Sequence, residues 1–174
     1  MAYTLEQFCA DCHDILKAGA DDAARERISR NLERLLGNPD FVAATFREDT
    51  PPGREELYHD PETDVYVLAH VQRGGKGGNP HSHGSSWAIY GNARGYTEMT
   101  EWRRVNAEGD DHAELEMADR YRIGPGEVHA YGPGVIHSTA HPEKAWVIRV
   151  TGTDLDTLPR FRFDPRKDRI LAEA

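Results

Sequence analysis

The chain has 174 residues, 38% of them apolar and 29% charged, with a formal net charge of −9. That length and balance suit one soluble folded domain with a sizeable core, and no apolar run approaches the roughly 20 residues that a membrane-crossing helix needs. A net acidic surface repels nucleic acid and anionic membranes, so neither is expected as a partner, and any anionic ligand must be met by local positive charge.

The start, "MAYTLEQF", lacks a basic region followed by an apolar one, so the expected location is cytoplasmic. Thr4-x-x-Gln7 is a capping-box signature. After it Leu5, Phe8, Cys9, Cys12, Ile15 and Leu16 recur at helical spacing, and Gly19 ends the segment. A second helix is predicted from about Asp22 to Gly37, with Ile28, Leu32, Leu35 and Leu36 on one face. Asn38-Pro39-Asp40 opens a short third helix over Phe41 to Phe46, so residues 1–48 read as a helical cap.

The character changes at "TPPGREELYHDPETD". Predicted strands are Glu55 to His59, Val65 to Gln72, His81 to Tyr90, Tyr96 to Val105, Leu115 to Arg122, Val135 to Ala140 and Trp146 to Thr151. Many short strands broken by Gly and Pro suggest a closed barrel or sandwich over residues 54–164, including a C-terminal extension. The basic tail "LPRFRFDPRKDRI" reads as a solvated segment.

Both cysteines of the chain lie in "FCADCHD", a C-x-x-C-H spacing that matches covalent haem attachment. The helical reading places Cys9 and Cys12 on the apolar stripe with Phe8 and Leu16, as small core residues, and turns His13 towards water. Haem attachment belongs to exported proteins, and a zinc site needs further ligands that no second C-x-x-C supplies. No haem is expected, and in a reducing compartment no disulfide.

"GGKGGNPHSHGSSWAIYGNARG" is the stronger metal candidate. His81 and His83 stand two apart on a predicted strand, so both imidazoles point to one face. A third ligand is needed, and "IGPGEVHAYGPGVIHSTAH" offers His129 and His137 between and after two Pro-Gly turns.

These two stretches resemble the two motifs of the cupin superfamily, a double-stranded β-helix (jelly-roll barrel) with metal inside, here behind an N-terminal α-helical cap. The resemblance implies His81, His83 and His137 as ligands. His129 is the competitor for the third place and falls where the family has a loop. The glutamate that many cupins carry after the H-x-H pair is absent: Trp87 and Ala88 occupy those positions, and Glu98 lies beyond a turn. Three neutral imidazoles suit Fe, Zn or Ni, with Mn also open, leave coordination positions vacant, and favour an anionic substrate.

The stretches "REELYHDPETDVYVLAHVQRGGKGGNPHSHGSSW" and "WVIRVTGTDLDTLPRFRFDP" further resemble the cysteine dioxygenase family of thiol dioxygenases. That likeness implies a non-haem Fe(II) dioxygenase using molecular oxygen on a small carboxylate-bearing substrate, with Arg54 binding the carboxylate through its guanidinium fork. The chain departs from the family at its Ser-x-His-x-Tyr triad, where Val147, Arg149 and Thr151 stand, and Ala88 replaces the crosslinking cysteine. In the family's orientation Arg149 points into the pocket, where it either contacts substrate or pairs with an acid such as Glu98 or Glu116. A non-oxidative cupin enzyme (isomerase or lyase) and a non-catalytic binder of a small acid or metal are the alternatives. A homo-oligomer is compatible with the sequence.

Overall fold

Residues 2–107, 112–158, 160–164 and 169–173 are described by a computed structural model of the chain. The three helices form where the spacing places them: α1 (Leu5–Ala18), α2 (Asp22–Leu36) and α3 (Pro39–Thr45). Both halves of the capping box at Thr4 and Gln7 are present, the Asp21 side chain accepts from the Ala24 amide at the start of α2, and Asn38 caps α3.

The strands are β1 (Gly53–His59), β2 (Tyr66–Gln72), β3 (Lys76–Gly77), β4 (His81–Ser82), β5 (Ala88–Arg94), β6 (Thr97–Arg104), β7 (Leu115–Ile123), β8 (Val128–Tyr131), β9 (Ile136–His141), β10 (Ala145–Thr151), β11 (Arg160–Asp164) and β12 (Arg169–Glu173). They build two antiparallel sheets. One runs β1-β2-β10-β5-β8; the other runs β12-β11-β4-β9-β6-β7, with β3 also pairing β9. This is the expected mainly-β architecture: two antiparallel sheets behind an N-terminal helical cap.

Strand alternation divides the first sheet between two cores. Val67, Ala69, Val71, Ile89, Trp146, Ile148 and Val150 face outward and pack on Phe8, Ile28, Leu32 and Leu35 of the helices. At roughly 1.5–3 kcal/mol for each large aliphatic or aromatic side chain fully buried, this layer is the main apolar seam of the fold. Gly91 lies on that face because a Cβ there would sit 2.7 Å from the Leu36 side chain, so glycine lets α2 approach β5. The alternate residues, Ala88, Tyr90, Tyr131 and Val147, face inward and meet Met99 and Ile123 of the second sheet. The metal candidates lie in this inner layer.

Three expectations change. The predicted strand from His81 to Tyr90 is broken in two, because Gly84 adopts φ +57 and the chain turns there, with the Ser86 amide donating to the His83 carbonyl at 3.1 Å. His129 lies on strand β8, not in a loop, opposite Tyr90 on β5. The basic tail is not a solvated segment: β11 pairs with both β12 and β4, and Phe163 is 5% exposed. Residues 159 and 165–168 of that tail lie outside the described residues.

Candidate metal centre

His81 is on β4, His83 follows it at the Gly84 turn, and His137 is on β9 directly opposite His81 in the antiparallel register. Cross-strand pairing thus joins two histidines far apart in sequence, and the i, i+2 alternation supplies the third. Their ligand atoms all lie within 4.8 Å of one another. Ligands on bonds of about 2.1 Å to one ion sit roughly 3–3.5 Å apart, so small rotations of the rings close the set. The ring centroids are 4.7 to 5.1 Å apart.

The outer hydrogen bonds fit a metal site. His81 Nδ1 lies 3.1 Å from the Asn79 carbonyl oxygen and His137 Nδ1 3.3 Å from that of Val135. A carbonyl only accepts, so each Nδ1 carries the proton and each Nε2 presents a lone pair. His137 is fully buried, and burial together with the neighbouring His81 lowers its pKa to about 3 despite the Val135 hydrogen bond. It is therefore a neutral imidazole, the form that ligates. No Asp, Glu or Cys belongs to this cluster among the described residues.

Tyr90 adds a phenol that the sequence reading did not single out. Its hydroxyl lies 3.1 Å from His83 Nε2 and 3.5 Å from His137 Nε2. Tyr131 stacks flat on His137, and its hydroxyl meets the Tyr121 hydroxyl at 2.5 Å; Tyr121 in turn donates to Glu101 at 2.8 Å. His129 stands outside the metal cluster. It packs between Tyr121 and Tyr131 and approaches Glu101 at 3.5 Å.

A cavity of about 210 Å³ opens beside His81 and Tyr90, bounded also by His70, His141, Arg149 and Arg162. Among the described residues no acidic side chain lines it. Arg149 faces inward, as the alternation on β10 requires, and its Nε is buried without a hydrogen-bond partner. The acids weighed as internal partners are engaged elsewhere: Glu98 with Arg120 and Arg122, and Glu116 with Arg103. His70 is held neutral, its pKa pushed down to about 3 by burial and by the charges of Arg149 and Arg54. His141 is lowered by burial.

Arg54 stands directly opposite His70 across the β1–β2 pair. It is on the edge strand β1, about half exposed, and donates to Asp156 at 2.7 Å. It lines a separate pocket with Phe46, Pro51 and Val71. The cysteines are core residues as read: Cys9 and Cys12 are 6% and 0% exposed, and burial pushes the Cys9 thiol up to about 12. His13 does not simply face water. It is half-buried and reaches Asp60 at 2.7 Å.

His70, Tyr90, Tyr131, His141 and Arg162 went unnoticed because each joins the site through register across the sheets. For Tyr90, the inward phase of Ala88-x-Tyr90-x-Asn92 was the available signal.

No family model matches the chain, and no curated protein matches it. Solved structures do, at low identity. A cupin superfamily protein from Desulfitobacterium hafniense DCB-2 is 11% identical with a TM-score of 0.46, covering 65% of this chain and 87% of that one. KdgF from Halomonas sp. is 21% identical with a TM-score of 0.44, covering 64% and 91%. DMSP lyase DddQ from Ruegeria pomeroyi DSS-3 is 17% identical with a TM-score of 0.46, covering 69% and 56%. These likenesses carry no inference about chemistry.

Proposed function

We propose that this protein is a metal-dependent enzyme acting on a small anionic substrate, and specifically a non-haem iron(II) dioxygenase. The observation that carries the reading is the convergence of three imidazoles, two of them (His81 and His137) with Nδ1 held on a backbone carbonyl, beside a cavity lined by Arg149, whose Nε is buried without a hydrogen-bond partner. Iron bound by His81, His83 and His137 would supply Lewis acidity and one-electron chemistry with molecular oxygen.

The protein's own groups do the rest. Arg149 holds an acid group of the substrate and so sets the orientation of the reacting end towards the histidines. Neutral His70 and His141 offer hydrogen bonds without competing for the anion. The Tyr90 hydroxyl can give or take a proton beside His83 and His137. The leading substrate class is a thiol acid, whose conversion to a sulfinic acid takes up both atoms of one dioxygen and needs no separate reductant.

The test is metal content of protein purified without chelators, with oxygen consumption measured across thiol acids and diketones. About one iron per chain and oxygen uptake with incorporation of both atoms is the expected result. The phenol at 3.1 Å from His83 Nε2 favours a second reading, in which zinc, nickel or manganese serves a non-oxidative isomerase or lyase. Turnover without oxygen uptake would select it.

A further inference from the structure

Tyr90 brings an oxygen atom into the histidine cluster. Its hydroxyl is 3.1 Å from His83 Nε2 and 3.5 Å from His137 Nε2. Both distances exceed the mode of about 2.9–3.0 Å for a hydrogen bond between nitrogen and oxygen. Both match the roughly 3–3.5 Å that separates donor atoms sharing one ion at bonds of about 2.1 Å. The ligand atoms of the three histidines lie within 4.8 Å of one another, so the phenol oxygen already stands at ligand spacing from two of them.

Packing holds that oxygen in place. Tyr90 is buried on the inward face of β5, in the same layer as the small Ala88. Its ring meets Tyr131 edge-on, with centroids 5.9 Å apart, and His137 at 5.8 Å. Three neutral imidazoles alone would leave the charge of a buried ion uncompensated, and no Asp, Glu or Cys joins the cluster among the described residues. A phenol can supply the missing charge. On binding, its O–H bond breaks, a metal–oxygen bond forms, the proton leaves to water, and neither partner changes oxidation state. We infer that Tyr90 is a fourth protein ligand, its phenolate oxygen completing the site made by His81, His83 and His137. This rests on the three histidines holding a metal, as proposed above. Four donors still leave positions open on a six-coordinate ion, so the site can take a substrate.

The experiment is visible spectroscopy of the full chain, loaded with ferrous iron, oxidised to the ferric state with ferricyanide and desalted. A phenolate bound to ferric iron gives an intense visible charge-transfer band; a phenol that only makes a hydrogen bond gives none. Wild type is expected to show the band, and resonance Raman excitation within it should bring up tyrosinate ring modes. Tyr90→Phe, which removes only the oxygen, is expected to lose the band while still binding iron through the imidazoles. Its affinity for Zn(II), read by competition with a chromophoric chelator, is expected to fall at least about tenfold, since even an outer-shell partner is worth that much. Tyr66→Phe, on β2 and stacked on His59, is the control and should match wild type. Circular dichroism checks that each variant folds.

Iron-loaded wild type without the band, a band that survives in Tyr90→Phe, or unchanged zinc affinity in that variant each overturns the inference. The two readings fail separately. About one iron per chain without a phenolate band condemns only the fourth ligand. The band without any substrate oxidation condemns only the dioxygenase. Protein that binds no metal condemns both.

Discussion

The ring of Tyr131 lies on the imidazole of His137, with centroids 4.3 Å apart and planes within 11°. The stack, with the Nδ1 contact to Val135, leaves His137 one orientation, with Nε2 aimed at the cluster. Tyr131 is itself anchored by Tyr121, so the ligand is positioned by residues that never touch a metal. Tyr131→Leu preserves an apolar side chain but removes the flat surface and the hydroxyl. Metal affinity in this variant is expected to fall about tenfold or more, the scale of losing an outer-shell partner, in a competitive chelator titration. Unchanged affinity would mean that the stack is mere packing.

His81→Ala, His83→Ala and His137→Ala should each abolish stoichiometric metal binding, because two imidazoles do not hold an ion firmly. His129→Ala should retain the metal, since that ring lies between Tyr121 and Tyr131. Metal-to-protein ratios after gel filtration decide this. Retention by His137→Ala together with loss by His129→Ala would reverse the assignment.

The stability of metal-free protein should fall in two acid windows. The first belongs to buried neutral histidines such as His70, whose folded pKa of about 3 lies below the ordinary 6.5. The unfolded chain takes up that proton first, so stability is complete above pH 6.5 and declines towards pH 3, at up to about 1.4 kcal/mol per pH unit per group. His70→Gln should remove one group's share of that slope. The second window belongs to Asp60. Burial acts to raise its pKa, but hydrogen bonds from Thr63, the Glu62 amide and His13 outweigh it and hold the value near 2. Its contribution is present above about pH 4 and lost as pH falls towards 2, and Asp60→Asn should lack that last decline. Urea unfolding at stepped pH measures both.

Phe163 tests the C-terminal hairpin. It is 5% exposed on the strand that pairs with β4. Phe163→Ala should cost about 3 kcal/mol, within the usual range for truncating a buried aromatic. If the tail were only loosely attached, the chemical denaturation midpoint would not move.

The helices were legible residue by residue because their signals are local: a capping box at Thr4, an apolar stripe through Ile28, Leu32 and Leu35, and a stop near Gly37. The H-x-H pair was legible through strand alternation. What escaped depends on partners far along the chain. Nothing near Arg162 announces that it will stand opposite His81, and a short stretch such as Val128–Tyr131 has too few residues to display a period. The pairing of Arg54 with Asp156, 102 residues on, was equally beyond local reading.

Strand β4 is only two residues long and is held between β9 and β11. A segment that short gains little from local propensity, so its place is secured by neighbours made much later in synthesis. Arg162 closes onto His81 only after the intervening chain has formed its own hairpins, a contact of high sequence separation and slow formation. On the ribosome the H-x-H pair therefore emerges long before the wall that seats it. The seat of His81 is complete only once β11 has docked on β4.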